Sequence, residues 1–292
     1  MKILVTGSNG FVGQSLCKRL SHFDLIKPGR HSWSKDLAGV DYVIHLASIL
    51  HQRNIFVKIP LSKFREVNTL KTLNFAKKAI SAGVKRFIFV SSISVNGDLS
   101  TTRISPDDIP IPKTDYAISK WEAERGLKKI TKKSKMELVI VRPPLVYGPG
   151  VKSNFLALMK YIQKGLPILM INCKKSFVFI ENLTDLLVKV IDHPNAAGET
   201  FFVSDDEDIS LKKIMKDISR EFGYSPKIIN IPQKLLIFFL KIVGKKHIVA
   251  SVFNTLIIDI KKTKQLLSWT PPIKYSQGIK ITVQAYLDES KV

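Results

Sequence analysis

The sequence predicts a doubly wound α/β fold: a parallel sheet (the Rossmann arrangement) with helices on both faces, joined to a smaller mixed α/β lobe. Three observations carry this reading. Short, continuously apolar runs recur through the first half of the chain, separated by stretches with helical spacing. Runs of that kind suit strands buried on both faces, which is how parallel sheets are covered. The first run leads directly into a glycine-rich turn, TGSNGFVG (6–13), at the start of a helix. After VYGPG (146–150) the regular alternation stops, which divides the chain into a first region over 1–150 and a second over 151–292.

Each element follows from its local pattern. ILVT (3–6) is the first strand, and a helix follows from about Gly10 to Leu20 with Val12, Leu16 and Leu20 facing inward. A brief second strand covers Asp24–Lys27, and DYVIHLA (41–47) is the third. Phe64, Val67, Leu70, Leu73 and Ala76 repeat at helical spacing across 64–82. RFIFVSS (86–92) is a fourth strand, Asp115–Lys129 a helix, and ELVIVRP (137–143) a fifth strand. The second region reads as a helix at 154–164, a strand FVFI (177–180), a helix at 183–192 and a strand TFFVS (200–204). Ser210 then caps a helix over 211–222, and further helices follow at 233–243 and 276–288. Some of these later elements are expected to return to the main sheet.

Composition narrows the class. The chain has 292 residues of which 45 % are apolar, enough for a large core and too many for a disordered chain. Its two cysteines, Cys17 and Cys173, have no metal-like or disulfide-framework spacing, so no metal is expected and a reducing, cytoplasmic location is. No signal-peptide pattern opens the chain. The most apolar stretch, LLIFFLKIVG (235–244), is short and broken by Lys241, so stable membrane insertion is not expected. The net charge of +22 comes from 46 Lys+Arg against 24 Asp+Glu, with the lysines scattered as pairs along the chain. Nucleic-acid binders cluster basic residues with interleaved aromatics, so this excess reads as a lysine-rich surface with weak attraction to anionic faces.

The glycine turn carries the first chemistry. Gly7 permits a tight turn, Gly10 lets backbone approach a pyrophosphate, and Gly13 allows helix and strand to meet closely. With Asn9, Phe11 and Val12, it places a helix N-terminus against an anion, as a dinucleotide site requires. The second strand ends in IKPGRH (26–31), with Lys27, Arg30 and His31 and no acid. An acid there would suit the ribose of NAD, and a basic residue the 2′-phosphate of NADP, so the reading leans to NADP and leaves NAD open. Asp36, followed by Leu37, is a candidate for the adenine amine; a plainer reading makes it a loop acid.

TDYAISKW (114–121) carries the second. Tyr116 and Lys120 stand one helical turn apart, so the ammonium can bias the phenol without occupying its space. A phenol ionises near pH 10, and each unit of displacement corresponds to about 1.4 kcal/mol. Ser92 closes the fourth strand at the sheet's carboxyl edge, in reach of a reacting oxygen. Separately, these could be a packed aromatic, a surface charge and a strand-end cap; together, beside a nucleotide turn, they point to proton and hydride chemistry.

TGSNGFVG, VDYVIHLA (40–47), EVNTLKT (66–72), FVSSISVNG (89–97), Tyr116-x-x-x-Lys120, VRPPLVYGPG (141–150) and SWTPPIKYSQGI (268–279) together resemble the extended short-chain dehydrogenase/reductase superfamily, in its nucleotide-sugar epimerase/dehydratase/reductase branch. The resemblance spans essentially the whole chain. It implies Ser92, Tyr116 and Lys120 as catalytic triad, with Lys120 also holding the nicotinamide ribose. It implies Asn68 behind the cofactor and Leu46 and Ala47 along it. Arg142, Pro143 and the turn with Val146 and Tyr147 would border nicotinamide and sugar nucleotide, and Asn154 would reach the diphosphate. The resemblance also implies a homodimer through the helices at 64–82 and 116–129.

Two departures narrow the chemistry. Dehydratases of this branch carry an Asp-Glu pair just after the triad hydroxyl, where this chain has Ile93 and Ser94, so dehydration is not expected. Asn96 stands where an aromatic is common, which alters the expected sugar contacts. The pattern is similar to a bacterial UDP-glucose 4-epimerase-like subgroup of polysaccharide and O-antigen assembly that includes a UDP-N-acetylquinovosamine-forming 4-ketoreductase. The expected activity is therefore NAD(P)-dependent oxidoreduction at carbon 4 of a UDP-sugar, preferentially reduction of a UDP-4-keto-6-deoxy-N-acetylhexosamine. A 4-epimerase with tightly held NAD is the alternative, and a non-catalytic dinucleotide-binding protein the remote one.

Overall fold

The computed structural model describes residues 1–29, 32–33, 37–50, 59–100, 102–169, 173–229 and 254–290. Its strands are β1 (Lys2–Thr6), β2 (Asp24–Ile26), β3 (Tyr42–His45), β4 (Arg86–Val90), β5 (Glu137–Arg142), β6 (Leu145–Tyr147), β7 (Ile168–Leu169), β8 (Lys174–Phe179), β9 (Thr200–Phe202), β10 (Asp208–Ser210) and β11 (Ile228–Ile229). Six form a parallel sheet in the order β2-β1-β3-β4-β5-β9. The chain winds outward from β1 in both directions, so the carboxyl ends of β1 and β3 open a crevice at the point of reversal. Thr6 lies opposite His45 in that register.

Helix α1 (Phe11–Arg19) and α5 (Ile180–Lys189) cover one face, with Leu16, Leu20, Leu183, Leu186 and Leu187 buried against Ile3, Val5, Ile44 and Val139. The other face is covered by two long helices. The first, α2, is continuous from an α-helical turn (Leu61–Phe64) through a π-helical stretch (Arg65–Lys71) into a regular helix (Thr72–Ser81). The second, α3, spans Asp115–Thr131, and Thr114 caps it by accepting from Ala117 N at 3.1 Å. Phe75, Ala76 and Ala79 meet Ala123 and Leu127 over Phe87 and Phe89. At Gly126 a Cβ would lie 2.6 Å from a Leu73 methyl, so the glycine lets that side chain lie directly against α3.

The second lobe gathers α4 (Ser153–Gln163), α6 (Leu211–Glu221) and α8 (Tyr275–Glu289) around Tyr147, Phe155, Met159, Phe179, Ile214 and Ile279. Ser210 caps α6 through Lys213 N at 3.1 Å, as its sequence suggests. A three-stranded sheet, β10-β8-β6, pairs β6 in parallel with β8. VYG, read as a turn, is thus partly strand, because β8 offers it a partner that the local sequence does not reveal. β9 returns to the main sheet beside β5, and a short helix, α7 (Lys261–Leu267), packs near it. The helix expected at 233–243 lies outside the described residues. Among the described residues no helix is long and apolar enough to cross a membrane, and no cluster of His, Cys, Asp and Glu could hold a metal.

Candidate active site

The glycine turn joins β1 to α1 at the crevice. Gly7 has φ +71°, and a Cβ there would sit 2.9 Å from Ala47 N. The turn therefore rests directly on the segment leaving β3, which brings Leu46 and Ala47 beside it. At Gly13 a Cβ would lie 2.2 Å from Gly7 O, so the helix start can close on the turn only without a side chain. Gly10 and Asn9 stay exposed, and α1 has neither a side-chain cap nor an acid in its first turn. The first-turn N–H groups of Phe11, Val12 and Gly13 have no intrahelical acceptor, which makes the concavity suited to a phosphate.

Tyr116 is the second residue of α3, half-buried at the same edge, with Phe64 edge-on at 6.2 Å. Its hydroxyl lies near enough to the side chains of Ser48 and Ser92 for both to pull the phenol down. Burial outweighs that pull and pushes the phenol up to about 12. Ser92 follows β4 and in turn accepts from Ser94 N at 3.2 Å and Ser94 Oγ at 2.9 Å. Lys120 is buried one turn along α3 and points elsewhere: Nζ donates to Val90 O at 2.7 Å and stands 4.2 Å from the centroid of the Phe89 ring. Burial lowers its ammonium to about 7, with Glu124 opposing. The structure brings Ser92 close enough to Tyr116 to lower its phenol. The ammonium, expected to bias the phenol, is directed at a carbonyl instead.

The model of the NAD dependent epimerase/dehydratase family matches residues 23–204, more than half of the chain. The chain belongs to that family. A UDP-glucose 4-epimerase of Vibrio cholerae is 40 % identical over 98 % of this chain and 95 % of its own. An N-acetyl-α-D-glucosaminyl-diphospho-ditrans,octacis-undecaprenol 4-epimerase of Escherichia coli O157:H7 is 26 % identical over 97 % and 94 %. The crystal structure of a UDP-glucuronic acid 4-epimerase from Bacillus cereus in complex with NAD aligns with a TM-score of 0.80 at 22 % identity, covering 99 % of each chain. That likeness shows a shared fold.

In this epimerase/dehydratase chain the edge is braced from behind. Asn68, 1 % exposed within the π-helical stretch, accepts from Ile49 N at 2.9 Å and donates to Ile49 O at 3.0 Å and Ser119 Oγ at 3.1 Å. Ser119 Oγ donates to Tyr116 O at 2.7 Å. One carboxamide thus ties the segment after β3 to the helix of Tyr116. Pro143 O accepts from Ile93 N at 3.0 Å, fastening the end of β5 to the turn after Ser92. His45, fully buried between Thr6 Oγ1 (2.7 Å) and Thr72 Oγ1 (2.9 Å), is held well below the usual imidazole range by burial and then by the Lys120 charge.

Four expected contacts are corrected. Arg142 donates through Nε to Glu124 Oε1 (2.9 Å) and through Nη2 to Oε2 (2.5 Å), the two side chains being 2 % and 0 % exposed. Its Nη1 donates to Asn96 Oδ1 at 2.9 Å. Arg142 and Asn96 therefore satisfy a buried ion pair under the site and do not face a sugar. Tyr147 is fully buried and donates to Asp205 Oδ2 at 2.7 Å, while Asp205 also accepts from Phe179 N and Asn182 Nδ2. Burial raises Asp205 to about 6 despite these three donors. The network locks β6 and β8 to α5. Leu37 is buried with Val40 and Val43 in the core beneath β3 and does not line a cleft. Val146 is half-buried in β6 against the core. Arg30 and Asp36 lie outside the described residues, as does the side chain of Asn154. Ser48 is the neighbour that sequence reasoning missed; its only signal is being the first hydroxyl after the third strand.

Proposed function

We propose that the chain is an NAD-dependent 4-epimerase of a nucleotide-linked hexose, most simply a UDP-sugar. The observation that carries this is that Tyr116, at the start of α3, and Ser92, at the end of β4, come together at the carboxyl edge of the sheet where the glycine turn also opens. The 40 % identical UDP-glucose 4-epimerase supports the choice of reaction. NAD, when bound, supplies a hydride acceptor and donor for carbon 4. The first-turn backbone of α1 would hold its pyrophosphate, and Lys120 its ribose. Tyr116 takes the proton from the C4 hydroxyl and later returns it, while Ser92 holds the same oxygen. A phenol at about 12 is ready to donate. At pH 7 its use as a base means offsetting about 7 kcal/mol, which falls to hydrogen bonds and to any cation that comes to face it.

Lys120 offers a test independent of turnover. With its amine at about 7, it is largely neutral at pH 8, and ribose hydroxyls favour the ammonium. NAD binding at pH 8 is therefore expected to take up a substantial fraction of a proton. Calorimetry in buffers of different ionisation enthalpy measures this, and zero uptake contradicts the role given to Lys120.

A second reading, 4-ketoreduction with NADPH, is favoured by one feature: Lys27 and Arg30 close the second strand with no acid. Purified protein separates the two. Retained NAD and C4 inversion without net redox turnover support the epimerase; consumption of added NADPH by a UDP-4-keto-6-deoxy-N-acetylhexosamine supports the reductase. Under the reductase reading, Arg30→Ala weakens NADPH roughly tenfold more than NADH, in line with one lost charge-assisted contact. Equal weakening removes Arg30 from the 2′-phosphate.

The same proposal places the enzyme in the cytoplasm as a homodimer through α2 and α3, where Leu70 is 57 % exposed. Sedimentation at micromolar concentration is expected to give a dimer that Leu70→Lys splits; a wild-type monomer sinks this arrangement.

A further inference from the structure

We propose that Ser94 is a positioning residue for Ser92: its hydroxyl and its backbone N–H fill both acceptor sites of Ser92 Oγ, so that Ser92 meets the C4 oxygen only as a donor. The inference rests on the reading of Ser92 as the group that holds that oxygen, and extends it to a residue outside the triad.

The two contacts are set by the turn that Ser92 opens. Ile93–Asn96 forms one short 3₁₀ turn after β4, with Ser92 as its N-cap. Ser92 Oγ accepts from Ser94 N at 3.2 Å and from Ser94 Oγ at 2.9 Å. A hydroxyl oxygen has two lone pairs, and these two donors use them. One proton is left to donate.

The turn is fastened at both ends to the close of β5. Ile93 N donates to Pro143 O at 3.0 Å, and Asn96 Oδ1 accepts from Arg142 Nη1 at 2.9 Å. Within it, Val95 N donates to Ser92 O at 3.2 Å and Gly97 N to Ser94 O at 3.1 Å. Ser92 and Ser94 therefore share one pinned frame, and their hydroxyls already meet within it.

The direction of that contact follows from the chemistry. Oxidation turns the C4 hydroxyl into a carbonyl, whose oxygen accepts hydrogen bonds and donates none. To hold that oxygen through the step, Ser92 must give its proton outward. The proton between the two serines then belongs to Ser94. A hydroxyl that accepts while it donates is polarised by the incoming bond, so Ser94 strengthens the donation to the C4 oxygen. The step balances without either serine losing a proton: the C4 hydroxyl proton passes to Tyr116 and the hydride to NAD.

Ser94→Ala removes one donor and leaves the backbone contact, so the turn persists. The kcat for C4 inversion is expected to fall roughly fivefold, as for the loss of one neutral hydrogen bond, with KM and NAD affinity within about twofold of normal. Tm should be unchanged, and Ser94→Thr, which keeps the hydroxyl, should restore kcat. A double-mutant cycle with Ser92→Ala decides whether Ser94 works through Ser92. In that background Ser94→Ala should cost less than about 1.5-fold, because the group it positions is gone. A loss that persists in full without the Ser92 hydroxyl, a Ser94→Ala enzyme as fast as the unmutated one, or a loss that Ser94→Thr fails to restore overturns the proposal. An unmutated chain that inverts no sugar nucleotide fails at the earlier reading and takes this inference with it. An active chain indifferent to Ser94 leaves that reading standing and sinks this one alone.

Discussion

Tyr116→Phe is expected to lower kcat by roughly a thousandfold, with NAD affinity within about twofold of normal. The substitution removes one oxygen and leaves the ring against Phe64, so the helix and its packing persist. What disappears is the phenol oxygen to which the proposed mechanism assigns the proton transfer. Steady-state kinetics with NAD binding measured in parallel checks the split. A variant that keeps more than about a tenth of its activity would remove Tyr116 from the proton transfer.

Glu124→Ala is expected to have the largest effect on stability, about 3–5 kcal/mol. Its carboxylate is the bidentate partner of Arg142, and both are shut off from water. Deleting the acid leaves a guanidinium buried with Asn96 Oδ1 and the Pro106 carbonyl as remaining acceptors, neither of them charged. Replacing both partners, Glu124→Met with Arg142→Met, removes the charge along with its partner and should recover most of the loss. Thermal and denaturant unfolding of the two variants decide it. A Glu124→Ala protein as stable as the unmutated chain would mean that water or another group reaches Arg142.

Much of this architecture is legible in the chain. β1 and its glycine turn are local patterns, and the steric demands at Gly7 and Gly13 are those that glycine spacing implies. Tyr116 and Lys120 share a helix, so their spacing places both on one face. What the chain hides is exposure and long-range partnership. Arg142 and Tyr147 lie in the run that reads as a site border, yet their partners Glu124 and Asp205 stand 18 and 58 residues away. A sequence names an arginine without saying that a buried carboxylate has claimed it. Resemblance alone puts Asn68 at the back of the site, and the structure gives it a definite task on Ile49 and Ser119. Its π-helical turn leaves no mark, since the apolar spacing across 64–82 fits an ordinary helix. Ser48 sits in HLAS with nothing to separate it from a strand-end filler until the phenol is seen beside it.

Tyr116 is the group proposed to move the proton at carbon 4 of a nucleotide sugar. The most direct measurement incubates the purified protein with UDP-glucose and UDP-N-acetylglucosamine, reads the configuration at C4 by NMR and follows the nicotinamide absorbance, for the unmutated chain and for Tyr116→Phe. The expected result is C4 inversion of at least one sugar with no net consumption of cofactor, lost in Tyr116→Phe while NAD remains bound. Inversion that survives in Tyr116→Phe, or an unmutated chain that binds NAD yet leaves C4 untouched in both sugars, would contradict it.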